Sequence, residues 1–254
     1  GDEGDGEEKE GGPGDPEPGG EAVHARYSVP NGAGLAMTRP AHLPCRRGHD
    51  RARLESVLMG LFWLSQGLAD APAEDAWLSP REASWVARMR FPKRRREFRL
   101  GRWTAKKALA LYLGREASAG ALGSIEIDRA PDGAPAPLVD GRPAEAYLTM
   151  TDRADQAVCL VGPPDTVLGC DLELVEPRSE AFVADFLTPA EQRLVAAAGD
   201  GEARDVLANL VWCGKESALK VLRTGLRRDT RSVEVSFPQG AHVDGWAPVS
   251  IRAV

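Results

Sequence analysis

The apolar positions of this chain fall into two sets that resemble each other. In the first, Val57-Leu58-Met59-Gly60-Leu61-Phe62-Trp63-Leu64 is a nearly unbroken apolar run, which predicts a strand buried on both faces. Ser79-Pro80-Arg81-Glu82 follows. Ser at the N-cap, Pro at the first helical position and Glu two residues later predict a helix start. A second helix with a strongly basic face is predicted from about Arg94 to Leu113. Ala130-Pro131-Asp132-Gly133-Ala134-Pro135-Ala136-Pro137 is stiff and turn-rich, and Asp140-Gly141 reads as a tight turn.

The second set repeats this layout. Ala157 to Val161 and Val167 to Val175 predict neighbouring strands joined through Gly162-Pro163-Pro164-Asp165. Thr188-Pro189-Ala190-Glu191 is again a capping box with proline in the favoured place. Trp212 to Lys220 reads as a helix, and Ser232 to Phe237 and His242 to Ile251 as strands with a turn at Asp244-Gly245, extending the second sheet. Sliding the chain on itself by 109 positions superposes Gly60 on Gly169, Leu78 on Leu187, Pro80 on Pro189 and Glu82 on Glu191. The same shift matches Val86 with Val195, Trp103 with Trp212 and Lys106 with Lys215. This is an internal duplication. Two like halves packed face to face would enclose one cleft.

The copies differ in charge. Asp171 falls opposite Phe62, Glu173 opposite Leu64, and Glu216 opposite Lys107. Only the second copy is acidic, so metal ligands are expected on one wall and cations on the other. In a strand Asp171 and Glu173 point to one face. In a helix Trp212, Glu216 and Lys220 lie on one stripe. Three carboxylates brought together suit a hard cation such as Mg²⁺, with lysines left for phosphates. Taken singly, each stretch also reads as the wet face of an edge strand or a surface ion pair.

Composition refines this. Residues 1–21 hold nine acids and one base, a net −8, so the formal −6 of the 254-residue chain leaves a body of +2. Such a body can accept a polyanionic cofactor and an acidic protein partner. No nucleic-acid surface and no membrane partner are expected, since no apolar run approaches the length needed to span a bilayer. Cys45, Cys159, Cys170 and Cys213 have no zinc-type spacing and read as small buried thiols of a cytoplasmic protein. The expected divisions are a disordered acidic Gly/Pro-rich tail (1–48), a basic N-terminal half (49–148) and an Mg²⁺-binding C-terminal half (149–254).

Gly169-Cys170-Asp171-Leu172-Glu173, followed by Trp212-Cys213-Gly214-Lys215-Glu216-Ser217-Ala218-Leu219-Lys220, resembles the two-domain, surfactin-synthetase-activating 4'-phosphopantetheinyl transferases. That resemblance implies an α+β fold of two similar halves related by pseudo-twofold symmetry. It also implies an Mg²⁺-dependent enzyme that moves the phosphopantetheine arm of coenzyme A to a serine of an acyl, peptidyl or polyketide carrier protein, as in secondary-metabolite biosynthesis. The alternative is a non-catalytic relative that binds carrier protein or coenzyme A. A monomer is expected, because one chain forms the cleft.

By motif match, Asp171, Glu173 and Glu216 would hold the metal, and Glu216, Lys220 and Asp171 would be catalytic. Glu216 would take the serine proton directly or through a metal-bound water. Arg94, Arg102, Thr151, Asp152, Lys215 and Lys220 would bind the coenzyme, with Arg129 a further candidate. Lys215 reads equally as a structural residue, and Trp212 as core. One position departs from the pattern: Asp152 stands where the family has a histidine that helps hold the nucleotide 3'-phosphate, with Arg153 next to it as a possible substitute.

Overall fold

The structure is a computed structural model. It describes residues 60–238 and 247–254 together with the backbone of three preceding strands. These are β1 (Val23–Ser28), β2 (Ala33–Arg39) and β3 (Cys45–Arg47). The first half continues with β4 (Leu61–Gly67), α1 (Pro80–Arg88), α2 (Pro92–Tyr112), α3 (Ala119–Leu122), β5 (Ile125–Arg129), β6 (Pro135–Val139) and β7 (Arg142–Pro143). Then come β8 (Tyr147–Arg153), β9 (Gln156–Gly162), β10 (Gly169–Leu174), α4 (Glu180–Phe186), α5 (Pro189–Ala197), α6 (Glu202–Val221), β11 (Val233–Ser236) and β12 (Ala247–Ala253). The fold class is α+β. Among the described residues no helix is long and apolar enough to cross a membrane.

The strands form three sheets, ordered β3-β4-β9-β8, β10-β2-β1-β12-β11 and β5-β6-β7. α2 lies on β4, β8 and β9; α6 lies on β10, β2 and β11. β4 explains its own apolar run. Phe62 and Leu64 enter the core under α2 with Trp77, Trp103 and Leu109. Leu61 and Trp63 point the other way, into a second cluster with Leu160, Leu168 and Leu172. A strand covered on both faces has no polar alternation to keep.

Both capping boxes form. Ser79 accepts from the Glu82 N–H, and Thr188 from the Glu191 N–H. Each of those glutamates also reaches a buried lysine on the long helix that follows. Lys106 lies 2.6 Å from Glu82 and Lys215 lies 2.7 Å from Glu191. The second oxygen of each glutamate accepts from a strand amide, Ile127 at 3.0 Å and Val235 at 2.7 Å. The two glutamate–lysine pairs and their strand-amide bonds thus correspond, while the lysines differ in the carbonyls they reach: Trp77 for Lys106, Thr230 and Val233 for Lys215. Asp140 and Gly141 both have positive φ, 52° and 74°, as the turn between β6 and β7 demands.

Three expectations need revision. The expected tail, 1–48, contains the hairpin β1–β2, which sits between β10 and β12. Its Gly-, Pro- and acid-rich surroundings hide two short alternating runs on either side of Val29-Pro30-Asn31-Gly32. Residues 1–22 lie outside those described, as do Val57 to Met59 and the Asp244-Gly245 turn. Second, β9 and β10 are consecutive but unpaired: β9 pairs with β4 and β8, while β10 takes β2. Third, a division at 148/149 falls inside β8, which together with β9 packs under α2.

Candidate active site

α6 runs along β10 so that its stripe meets the two strand carboxylates in reverse order. Trp212 Nε1 donates to Glu173 Oε1 at 3.2 Å, and Lys220 Nζ donates to Asp171 Oδ1 at 2.9 Å. Two helical turns separate Trp212 from Lys220, and Glu216 stands midway between them. The helix is held there by Trp212, which packs on Phe182 and Phe186 with ring centroids 5.1 and 5.3 Å away. Gly214 lets α6 approach β11: a Cβ there would sit 3.0 Å from Val235.

Asp171 is buried at 6% exposure. Beyond Lys220, it accepts from Thr151 Oγ1 at 3.2 Å and from the Cys213 thiol at 3.5 Å. Glu173 is clamped by cations: Arg178 Nη2 lies 3.1 Å and Arg153 Nε 3.5 Å from its Oε2. Glu216 makes no hydrogen bond or ion pair among the described residues. Burial first, then repulsion from Asp171, raises its pKa above the ordinary carboxylate value. Glu173 is raised by the same two causes, against the pull of Arg153 and Arg178. Burial opposes the charge on Lys220, but Asp171 and then Cys170 outweigh it and hold its pKa above the usual lysine range. Burial pushes the Cys170 thiol up to about 11, so it is a neutral space-filler.

Among the described residues no group of three acidic, histidine or cysteine side chains is arranged to hold a metal ion. Lys220 serves as the counter-charge of Asp171, and two arginines serve Glu173. The donor set still fits a hard cation in kind. Its carboxylates are electrostatically coupled, and Glu216 has no cationic partner at ion-pair distance.

Beside this cluster opens a cleft of about 630 Å³ between the halves. Arg102, Arg129, Lys220, Arg223 and Arg227 line it against only two acids, Asp128 and Asp132. Arg102 is 7% exposed. It lies over the Phe98 ring at 4.6 Å and is 3.7 Å from Glu82, and its buried Nε has no hydrogen-bond partner. Arg223 joins the halves through Asp132 at 3.1 Å and rests over the Tyr147 ring.

Asp171, Glu173, Glu216, Lys220 and Thr151 thus come together, with Arg102 in the adjoining cleft. Arg94 is outside: its side chain is 60% exposed, pairs with Glu97 at 3.7 Å and does not line the cleft. Lys215 is also elsewhere. Its ammonium is fully buried and spent on Glu191, the Thr230 carbonyl and the Val233 carbonyl. The equivalent Lys106 does the same work in the first half, which favours the structural reading of both. Asp152 is half-buried, and burial and Glu97 raise its pKa against the pull of Arg94, Lys220 and Arg102. Arg153 faces Glu173 and Glu176.

Sequence reasoning missed Tyr147, Arg178, Arg223 and Arg227. The last two had a signal, the basic run Arg223-Thr224-Gly225-Leu226-Arg227-Arg228 just past the motif helix. Arg178 had none, because its partner Glu173 is reached only through the fold.

The model of the 4'-phosphopantetheinyl transferase superfamily matches residues 167–244. That stretch includes Asp171, Glu173, Glu216 and Lys220. Among solved structures, the chain is similar to a holo-(acyl-carrier-protein) synthase from Bacillus anthracis str. Ames in complex with CoA (3',5'-ADP). The identity is 20% and the TM-score 0.34, over 40% of this chain and 92% of that one. No curated protein matches.

Proposed function

We propose that the chain is a two-domain, surfactin-synthetase-activating type of 4'-phosphopantetheinyl transferase, converting apo to holo carrier protein. The observation that carries this reading is the meeting of Asp171, Glu173, Glu216 and Lys220 at the edge of the cationic cleft. The superfamily match over the same residues supports it. In the reaction a carrier serine oxygen bonds to the phosphorus next to pantetheine. The bond from that phosphorus to the bridging oxygen breaks, and adenosine 3',5'-bisphosphate leaves.

Such transfers depend on positioning and charge more than on covalent help. Asp171, Glu173 and Glu216 would hold Mg²⁺, which when bound offsets charge on the pyrophosphate. Glu216, the carboxylate with a raised pKa and no bonded partner, takes the serine proton. Lys220 holds the phosphate that moves. Arg102 and Arg129 bind the nucleotide end, and Thr151 orients Asp171.

The test is intact mass of several apo carrier proteins after incubation with this protein, coenzyme A and Mg²⁺, beside a Glu216→Ala control. A gain of one phosphopantetheine unit, absent from the control, is the expected result. Coenzyme A binding with no mass gain would replace this reading with the non-catalytic binder, which Asp152 and the unusual N-terminal tail favour.

A further inference from the structure

Glu173 is fixed at both of its oxygens, and both fixings lead to α6. Trp212 donates to Oε1 at 3.2 Å directly from that helix. Arg178 donates from Nη2 to Oε2 at 3.1 Å, and its Nε donates to Asn209 Oδ1, also on α6, at 2.7 Å. Asn209 lies one turn before Trp212, and Glu216 one turn after it. One guanidinium thus bridges the strand carboxylate to the helix that carries Glu216.

The bridge is itself held. The Arg178 side chain is only 15% exposed. Its guanidinium rests over the Phe182 ring at 4.8 Å, and the same ring packs on Trp212. Asn209 is fully buried. Its amide nitrogen donates to the Glu176 and Asp205 carbonyls, each at 2.7 Å, which turns its oxygen toward Arg178. The Arg178 carbonyl accepts from Arg204 at 3.1 Å. Arg153 differs. It is 41% exposed, stands 3.5 Å from Glu173 and gives its closer contact, 2.8 Å, to Glu176. A buried guanidinium whose fork is divided between Glu173 and Asn209 does more than neutralise charge, for which the exposed arginine would serve.

We propose that Arg178 is a positioning residue. It fixes the plane of the Glu173 carboxylate relative to Glu216, so that the carboxylate spacing a hard cation needs is set before the cation arrives. The inference rests on the cation site proposed above. A carboxylate tied at one oxygen turns about its last side-chain bond; tied at both, it does not. An oxygen that accepts one hydrogen bond keeps a lone pair, so Oε1 can hold Trp212 and a cation at once. Mg²⁺ tolerates little departure from its preferred geometry. Partners that orient a ligand typically change metal affinity by about 10- to 100-fold when removed.

Mn²⁺, a hard cation visible by electron paramagnetic resonance, is the probe, titrated into the full chain without coenzyme A. Arg178→Met keeps an apolar stem over Phe182 and removes every donor. It is expected to weaken Mn²⁺ binding about tenfold. Arg178→Lys returns the charge but not the fork, and should remain about threefold weaker than wild type. Transfer by Arg178→Met should fall at low Mg²⁺ and return at saturating Mg²⁺, a change in the apparent KM for the metal with kcat kept. Unchanged Mn²⁺ affinity with a lower melting temperature makes Arg178 a purely structural brace and overturns the proposal. Tighter binding overturns it too, because the arginine would then compete with the cation for Glu173. Full rescue by Arg178→Lys reduces its role to charge and does the same, as does a wild type that binds no Mn²⁺. If Arg178→Met fails to fold, Asn209→Ala decides. Mn²⁺ binding about threefold weaker upholds the proposal, and wild-type affinity sinks it. If the wild type transfers no arm while these affinities behave as expected, the reaction reading fails and Arg178 keeps its role.

Discussion

Glu216 is held at a cost that pH can expose. Burial and Asp171 raise its pKa above the 4.5 of an ordinary glutamate. A carboxyl raised in the folded state is favoured protonated, so its contribution is full below 4.5 and is lost as pH rises through the folded value. Glu216→Gln should therefore melt higher than wild type at pH 7 in EDTA, and the gap should close as pH falls below about 4.5. A wild type more stable than the variant at neutral pH would contradict this. Lys220→Met should cut transfer by at least about a hundredfold, as loss of a phosphate-facing cation typically does. Asp152 predicts weak grip on the 3'-phosphate, since a nearby carboxylate repels it. Competing coenzyme A and dephospho-coenzyme A should show a small preference; one above about a hundredfold, or ~2.7 kcal/mol, would refute it.

At the scale of elements, the paired glutamate–lysine bonds tie each capping helix to its long helix and to a strand. Lys215→Ala leaves Glu191 buried without a counter-charge and should cost about 3–5 kcal/mol in urea unfolding, as should Lys106→Ala in the first half. A Lys215→Ala protein of unchanged stability that binds coenzyme A poorly would instead restore Lys215 to the cleft. These elements were legible because their signals are local. A capping box needs four residues, and the faces of α6 and β10 follow from the periods 3.6 and 2. Strand partners are not local. Nothing around Ala157–Val175 says that β10 will pair with a hairpin more than a hundred residues earlier. Arg94 and Arg102 looked alike in a run of cations; only packing buries one beside Phe98 and leaves the other in water.

In the whole molecule the cleft is cationic on both sides, with Arg102 and Arg129 from the first half and Lys220, Arg223 and Arg227 from the second, and the acids of the second copy lie beside it rather than forming an opposing wall. Because a single chain builds both, we expect a monomer in light scattering; a stable dimer would count against it. The two walls are joined across the cleft by Asp132 and Arg223. Solvent screens that pair, so Asp132→Asn is expected to leave the melting temperature unchanged.

The hairpin between β10 and β12 sets an order of events during synthesis. β1 pairs Val23 with Ile251, and β2 lies along the strand that carries Asp171. The sheet of β4, β8 and β9 with α2 has all its partners once residue 162 has emerged. The strand that carries Asp171 does not. Its hairpin remains unsupported on one side until β12 leaves the ribosome, and contacts so far apart in sequence form slowly. Nascent chains should thus acquire protease resistance in the first half early. Protease resistance in the sheet of β10 should appear only once β12 has emerged.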